Sequence, residues 1–234
     1  AFTVYSQNWC DQGANWKYSF FTAFYAEGYT QIEYVGDTLI SGQSAKKLNK
    51  HHYVYNYFNS QSEDYDIGME YTYENNGVVY LWHNNNWDTL YNFNATIGDS
   101  WRMAKQPILN ACEENSYLTV TATGTKIINA TSLKYLVVDF SFPLSFSDTI
   151  VEKIGFIGSY VLPYDFCDGA LDGNEGGTFR CYQDDNFMVY KPHYSGNCDD
   201  ILALPEKPLN KTIRIVPNPA VSQIEIIGDI SPNS

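Results

Sequence analysis

Residues able to do chemistry are few and scattered along this chain. Of its four histidines, only His51 and His52 are neighbours. On a strand, adjacent side chains point to opposite faces, so these two cannot share one metal. H-E-x-x-H, G-x-S-x-G and phosphate-cradling glycine loops do not occur, and His83 and His193 stand alone, which leaves hydrolase and nucleotide chemistry unsupported. Acid pairs stand at Glu113-Glu114, Asp184-Asp185 and Asp199-Asp200. Adjacency in sequence says nothing about the cross-cleft separation that glycoside cleavage needs, so a solvated acidic face is the expectation. The strongest ligand segment runs from Asp165 to Gly177, where Asp165, Asp168, Asp172 and Glu175 lie among four glycines. Hard Ca²⁺ takes several carboxylate and carbonyl oxygens from a flexible loop, and this composition supplies both, although the spacing departs from the EF-hand pattern. A soluble, flexible acidic loop is the expected reading, with calcium as the one cofactor this composition could hold.

Cys10, Cys112, Cys167, Cys181 and Cys198 include no C-x-x-C pair, so neither a zinc ribbon nor a thioredoxin-type motif is present. In an exported chain they read as two disulfides and one cysteine left over. Pairing Cys181 with Cys198 would close a short loop worth about 3 kcal/mol in the loop-closure model. Cys112 would then pair with Cys167 and leave Cys10 free. Trp82 and Trp87 bracket His-Asn-Asn-Asn at the base of an expected hairpin. There they could stack on sugar rings with asparagines supplying hydrogen bonds, or simply lock the hairpin as a cross-strand pair.

The elements that must position these residues are strands. Trp16, Tyr18, Phe20 and Phe24 alternate with Lys17 and Ser19; Leu118, Val120 and Ala122 share one face, as do Leu136, Val138, Phe140 and Phe142. This period of two in β-branched and aromatic residues is that of half-buried strands. Turn signals follow at Val35-Gly-Asp37, Ile40-Ser-Gly42, Asn75-Asn-Gly77 and Ile97-Gly-Asp99, which predict hairpins. The fold class is therefore all-β: a mainly antiparallel meander, sandwich or half-barrel body over 1–201, a Pro- and Lys-bearing linker over 202–212, and a small β unit over 213–234. Composition agrees, with 234 residues, net charge −13, 16% aromatics and only 18% charged residues. Such a charge excludes phosphate-backbone binding, so no nucleic-acid partner is expected. No apolar run is long enough for a transmembrane segment.

In the final stretch, Ile213 and Ile215 alternate with Arg214, Pro217-Asn218-Pro219-Ala220 turns the chain, and Ile224 and Ile226 alternate with Gln223 and Glu225. Each proline removes a ladder donor, so one continuous strand cannot pass through the corner. The order strand, Pro-Asn-Pro-Ala, strand resembles the opening of the type A C-terminal sorting domain that Bacteroidetes proteins carry for type IX secretion. The body, through Tyr34–Leu48, Tyr73–Trp82, Leu90–Ser100 and Ile154–Ser159, resembles secreted Bacteroidetes proteins that end in this domain. The resemblance implies export, location outside the cell or on its outer surface, and the type IX machinery as a partner. A start after signal cleavage and an end inside the sorting domain are expected with it. Asp37-Thr38-Leu39, Asp88-Thr89-Leu90 and Asp148-Thr149-Ile150 resemble the Bacteroidetes O-glycosylation acceptor, which implies exposed, modified Thr38, Thr89 and Thr149. The resulting expectation is a non-enzymatic structural, adhesive or binding component that meets surface glycans or other surface proteins. The rival is an extracellular hydrolase or glycan-degrading enzyme.

Overall fold

Every element that the described residues form is a strand, as the alternation predicts. The computed structural model describes residues 9–22, 26–104, 117–141, 147–158, 176–201, 214–216 and 225–227. Residues 1–203 and 204–234 form two separate units. In the first, β1 (Asn15–Thr22), β2 (Ala26–Ile40), β3 (Gln43–Asn56), β4 (Gln61–Asn75), β5 (Val78–His83) and β6 (Asn86–Asn92) run as an antiparallel meander. The chain then crosses to β7 (Ser100–Arg102), β8 (Tyr117–Ile128), β9 (Thr131–Phe140), β10 (Ser147–Val151) and β11 (Gly155–Phe156), and returns as β12 (Phe179–Asp184) and β13 (Phe187–Tyr190). The first sheet has the order β13-β12-β1-β2-β3-β4-β5-β6 and curls as a half-barrel, and the second has the order β11-β10-β9-β8-β7. In the second unit, β14 (Arg214–Val216) pairs antiparallel with β15 (Glu225–Ile227), matching Ile215 to Ile226.

Turn chemistry sets the register. Two-residue hairpins of type I′ need positive φ at both central positions, and Ser41-Gly42, Asn76-Gly77, Asn84-Asn85 and Asn129-Ala130 all have it. The Val35-Gly-Asp37 signal is not a hairpin. Gly36, at φ 135°, sits at a register shift inside β2, a bulge whose backbone only glycine adopts readily. The hydroxyl of Tyr34 bridges it by donating to Asp37 Oδ1 at 3.0 Å.

The core lies between the two sheets. Trp9, from the segment before β1, inserts among Trp16 and Tyr91 with both ring centroids 5.5 Å away, and Trp16 continues to Tyr182 at 5.0 Å. Trp16 Nε1 donates to the Ile154 carbonyl at 2.7 Å, so an indole of one sheet satisfies the tight turn of the other. Tyr91 and Phe140 pack on Phe156. The two flanks are stitched as well: Trp101 Nε1 donates to the Leu90 carbonyl, and Asn129 Nδ2 donates to that of Met188.

A buried cation joins three segments. Lys153, 3% exposed in the turn between β10 and β11, reaches Asp184 Oδ2 at 2.7 Å and also ion-pairs with Asp11. Tyr182 donates to the same Asp184 oxygen at 2.6 Å, and the Asn186 amide donates to the other. Burial, reinforced by that bond to Asp184, pushes the Tyr182 hydroxyl far above its usual range. The expectation that Asp184 belongs to a solvated acidic face is thus corrected: its side chain is buried because Lys153 neutralises it.

Removing one partner of such a network leaves a buried charge uncompensated. Lys153→Met should therefore destabilise the body by about 3 to 5 kcal/mol. The double variant Lys153→Met/Asp184→Asn should recover part of that loss. Urea unfolding of both proteins checks the expectation, and equal stability of the two variants contradicts it.

Candidate functional site

A cleft of about 410 Å³ opens where the start of β3, the end of β4 and the segment before β1 meet. The start of β3 contributes Gln43, Ser44 and Lys46, and β4 contributes Tyr73 and Glu74. Trp9 and Asp11 complete the lining. The walls are held by bonds of their own. Trp9 donates its backbone amide to Glu74 Oε2 at 2.8 Å and its indole N–H to Thr72 Oγ1 at 2.9 Å. Asp11 is held by Lys153. Lys46 lies 3.0 Å from Asp37 and 5.1 Å from the centre of the Tyr34 ring. The bond from Lys46 is the largest influence holding the Asp37 carboxyl below its usual range. The charged groups thus come with internal partners, while Ser44 is exposed and Gln43 half-buried.

Tyr73 belongs to a second feature too. It stacks on Tyr80 across the β4–β5 hairpin, centroids 4.7 Å apart and 12° from parallel, and meets Trp87 edge-on at 4.7 Å and 81°. Trp87 pairs directly with Trp82 across β5–β6, centroids 5.0 Å apart. These four half-buried rings form one continuous outer surface beside the cleft. Trp87 Nε1 is enclosed without a hydrogen-bond partner among the described residues. The tryptophan pair locks the hairpin as a cross-strand pair and leaves part of each indole open.

Thr38, Thr89 and Thr149 are half-buried within β2, β6 and β10 rather than exposed. Neighbouring strands shield side chains on an outward face, which local turn signals do not reveal. Asp148 points inward, accepting amides from Thr149 at 2.6 Å and Gly158 at 3.0 Å. His51 and His52 do part to opposite faces. His51 contacts Asp64 at 3.2 Å and Asp66 at 2.7 Å, whereas buried His52 bonds Thr30 Oγ1 through Nδ1 at 2.9 Å and packs on Phe20. Among the described residues no group of three or more His, Cys, Asp or Glu is arranged to hold a metal ion. Asp165, Asp168, Asp172 and Glu175 lie outside the described residues, as do Cys112, Cys167 and the corner Pro217, Asn218, Pro219 and Ala220. No helix among the described residues is long and apolar enough to cross a membrane.

Cys181 and Cys198 form a disulfide with Cα atoms 6.0 Å apart. It fastens residues 191–201 over β12 and β1 as a strap, and it is the pairing expected from the cysteine spacing. Beside it Arg180, 3% exposed, lies between the Tyr29 and Tyr194 rings, with centroids 5.5 and 4.9 Å away. Its guanidinium donates to Ser19 Oγ at 3.0 Å, to the Gly28 carbonyl at 2.6 Å and to the carbonyls of Cys198 and Asp200. Lys17 pairs with Asp199. Cys10 is a free, buried thiol, which burial pushes well up and so keeps unreactive.

No protein-family model matches the chain, and no curated protein or solved structure matches it either.

Burial, followed by the charges of Lys50 and His51, pushes the His52 imidazole down to about 4. Below pH 6.5 the unfolded chain therefore takes up a proton that the folded chain refuses until about pH 4. Stability present above pH 6.5 should be lost as pH falls through this window, by on the order of 3 kcal/mol. His52→Gln, which keeps a hydrogen-bonding group toward Thr30, should flatten that segment of the stability curve measured by urea unfolding. An unchanged slope would assign the pH dependence to another group.

Proposed function

We propose that this chain is an exported, non-enzymatic binding or adhesive component of the bacterial outer surface, addressed to type IX secretion by its tail. The observation that carries the reading is the strap. A disulfide persists in an oxidising compartment and is rare in the cytosol. The Cys181–Cys198 bond fastens the last stretch of the body before the Pro- and Lys-bearing linker. Arg180 and Lys17 hold the same stretch non-covalently, so the sheet stays closed while the following residues serve as an address. The Pro217-Asn218-Pro219-Ala220 sequence between two strands supports the tail's part in this reading. The binding role draws its support from the ring surface of Tyr73, Tyr80, Trp82 and Trp87 next to a polar cleft. Glycans and other surface proteins are the partners such a surface suits.

Deleting residues 213–234 should leave the melting transition of the body unchanged and trap the protein inside a host that carries the type IX machinery. Continued secretion would refute the sorting role. Separately, replacing Cys181 and Cys198 by serine should lower body stability by about 3 kcal/mol. Comparing oxidised and reduced protein in denaturant titrations checks this, and equal midpoints would show the strap to be held by its non-covalent contacts, those of Arg180 and Lys17.

A further inference from the structure

We propose that the cleft formed by Trp9, Gln43, Ser44, Lys46, Tyr73 and Glu74 is a binding site for a neutral oligosaccharide, which extends across Tyr73 onto the Tyr80, Trp87 and Trp82 rings. This inference rests on reading the protein as a binding component and goes beyond it by naming the ligand.

Size is the first argument. At about 410 Å³ the cleft lies toward the lower end of small-molecule pockets, which span about 300 to 1,000 Å³, and it suits about one or two pyranose rings. Charge is the second. An anionic ligand would face Asp11 and Glu74, and a cationic one would face Lys46. Asp11 and Lys46 are themselves paired, with Lys153 and Asp37 respectively, so the cleft does not call for a ligand of either sign. Hydroxyl groups both donate and accept. They can therefore satisfy carboxylates, an ammonium, the Gln43 amide and the Ser44 hydroxyl at once, which neither ion can do.

Shape is the third argument. Trp9 is almost wholly buried, and both of its N–H groups are already engaged, so it serves as a rigid floor. Tyr73 is the hinge of the site, since the same residue lines the cleft and packs on Tyr80 and Trp87. Flat apolar rings suit the C–H face of a pyranose, while polar groups at the side take its hydroxyls. A chain of sugars entering the cleft thus meets stacking surface where it leaves. A single sugar would fill only the polar half.

The test uses the full chain and a panel of neutral di- and tetrasaccharides: cellobiose, maltose, lactose, chitobiose and the tetramers of the glucose and N-acetylglucosamine series. Digalacturonate and the chitosan dimer serve as charged controls. Binding is read by tryptophan fluorescence and by saturation-transfer NMR of the ligand. At least one neutral saccharide should bind, its tetramer more tightly than its dimer. Glu74→Gln and Gln43→Ala should each weaken both lengths by about tenfold, while Trp82→Ala should remove the tetramer's advantage and leave the dimer unchanged. Melting curves establish that each variant is folded. Binding of no neutral saccharide, binding of charged controls alone, or binding indifferent to Gln43→Ala and Glu74→Gln would each overturn the proposal. A secreted protein that binds no saccharide refutes the ligand and spares the export reading. A saccharide-binding protein that stays secreted without its tail does the reverse.

Discussion

The ammonium of Lys153 between Asp184 and Asp11 is the constraint on which the rest of the body depends. Withdrawing a charge from water is tolerable only with well-placed partners, and here the partners come from β12 and from the segment before β1. Once the turn between β10 and β11 carries a buried cation, both segments must close on it. That closure brings Trp9 into the core beside Trp16 and Tyr91 and brings Asp11 to the cleft. The cleft is therefore a by-product of core electrostatics: one wall is fixed by the same carboxylate that neutralises Lys153.

Polar groups recur in the body as fasteners between segments. The Trp16 indole satisfies the Ile154 carbonyl, Asp148 gathers the amides of Thr149 and Gly158, and Arg180 draws together β1, β2 and the strap. Each satisfies buried donors or acceptors that would otherwise cost free energy. The Trp16–Ile154 bond, which joins the two sheets, also selects one sheet-to-sheet arrangement out of those that apolar packing alone would allow.

Much of this was legible before the structure. Alternation located β1, β8 and β9 and the faces they bury, although Phe24 and Phe142 lie outside the described residues. The Ser41-Gly42 and Asn76-Gly77 turns followed from their residue types. The Tyr73–Tyr80 stack could also have been found, because a two-residue turn at Asn76-Gly77 pairs the residues three before and three after it. What failed were readings that local sequence cannot settle. Gly36 carries a turn signature but serves a bulge, and Asp184 looks like half of a surface acid pair until Lys153, 31 positions earlier, is brought beside it. The Arg180 clamp and the cleft depend on contacts between segments more than a hundred residues apart, such as Arg180 with Ser19 and Lys153 with Asp11. No spacing rule reaches that far. Tyr73 meets Trp87 only because the shift between Val79 and Tyr80 changes the pairing along β6.

The strap also decides how the body bears mechanical load. Tension applied to the chain beyond residue 201 runs through Cys198 to Cys181 and enters β12, which has β13 on one side and β1 on the other. β13 lies between the two cysteines in the chain, so the covalent bond shunts the force around this edge strand. Without that shunt, a pull would peel β13 away one hydrogen bond at a time, like a zipper. With it, yielding requires an interior strand to slide against two neighbours together, and many bonds share the stress. A protein tugged from its C-terminal side would hold its sheet by shear rather than surrender it by unzipping.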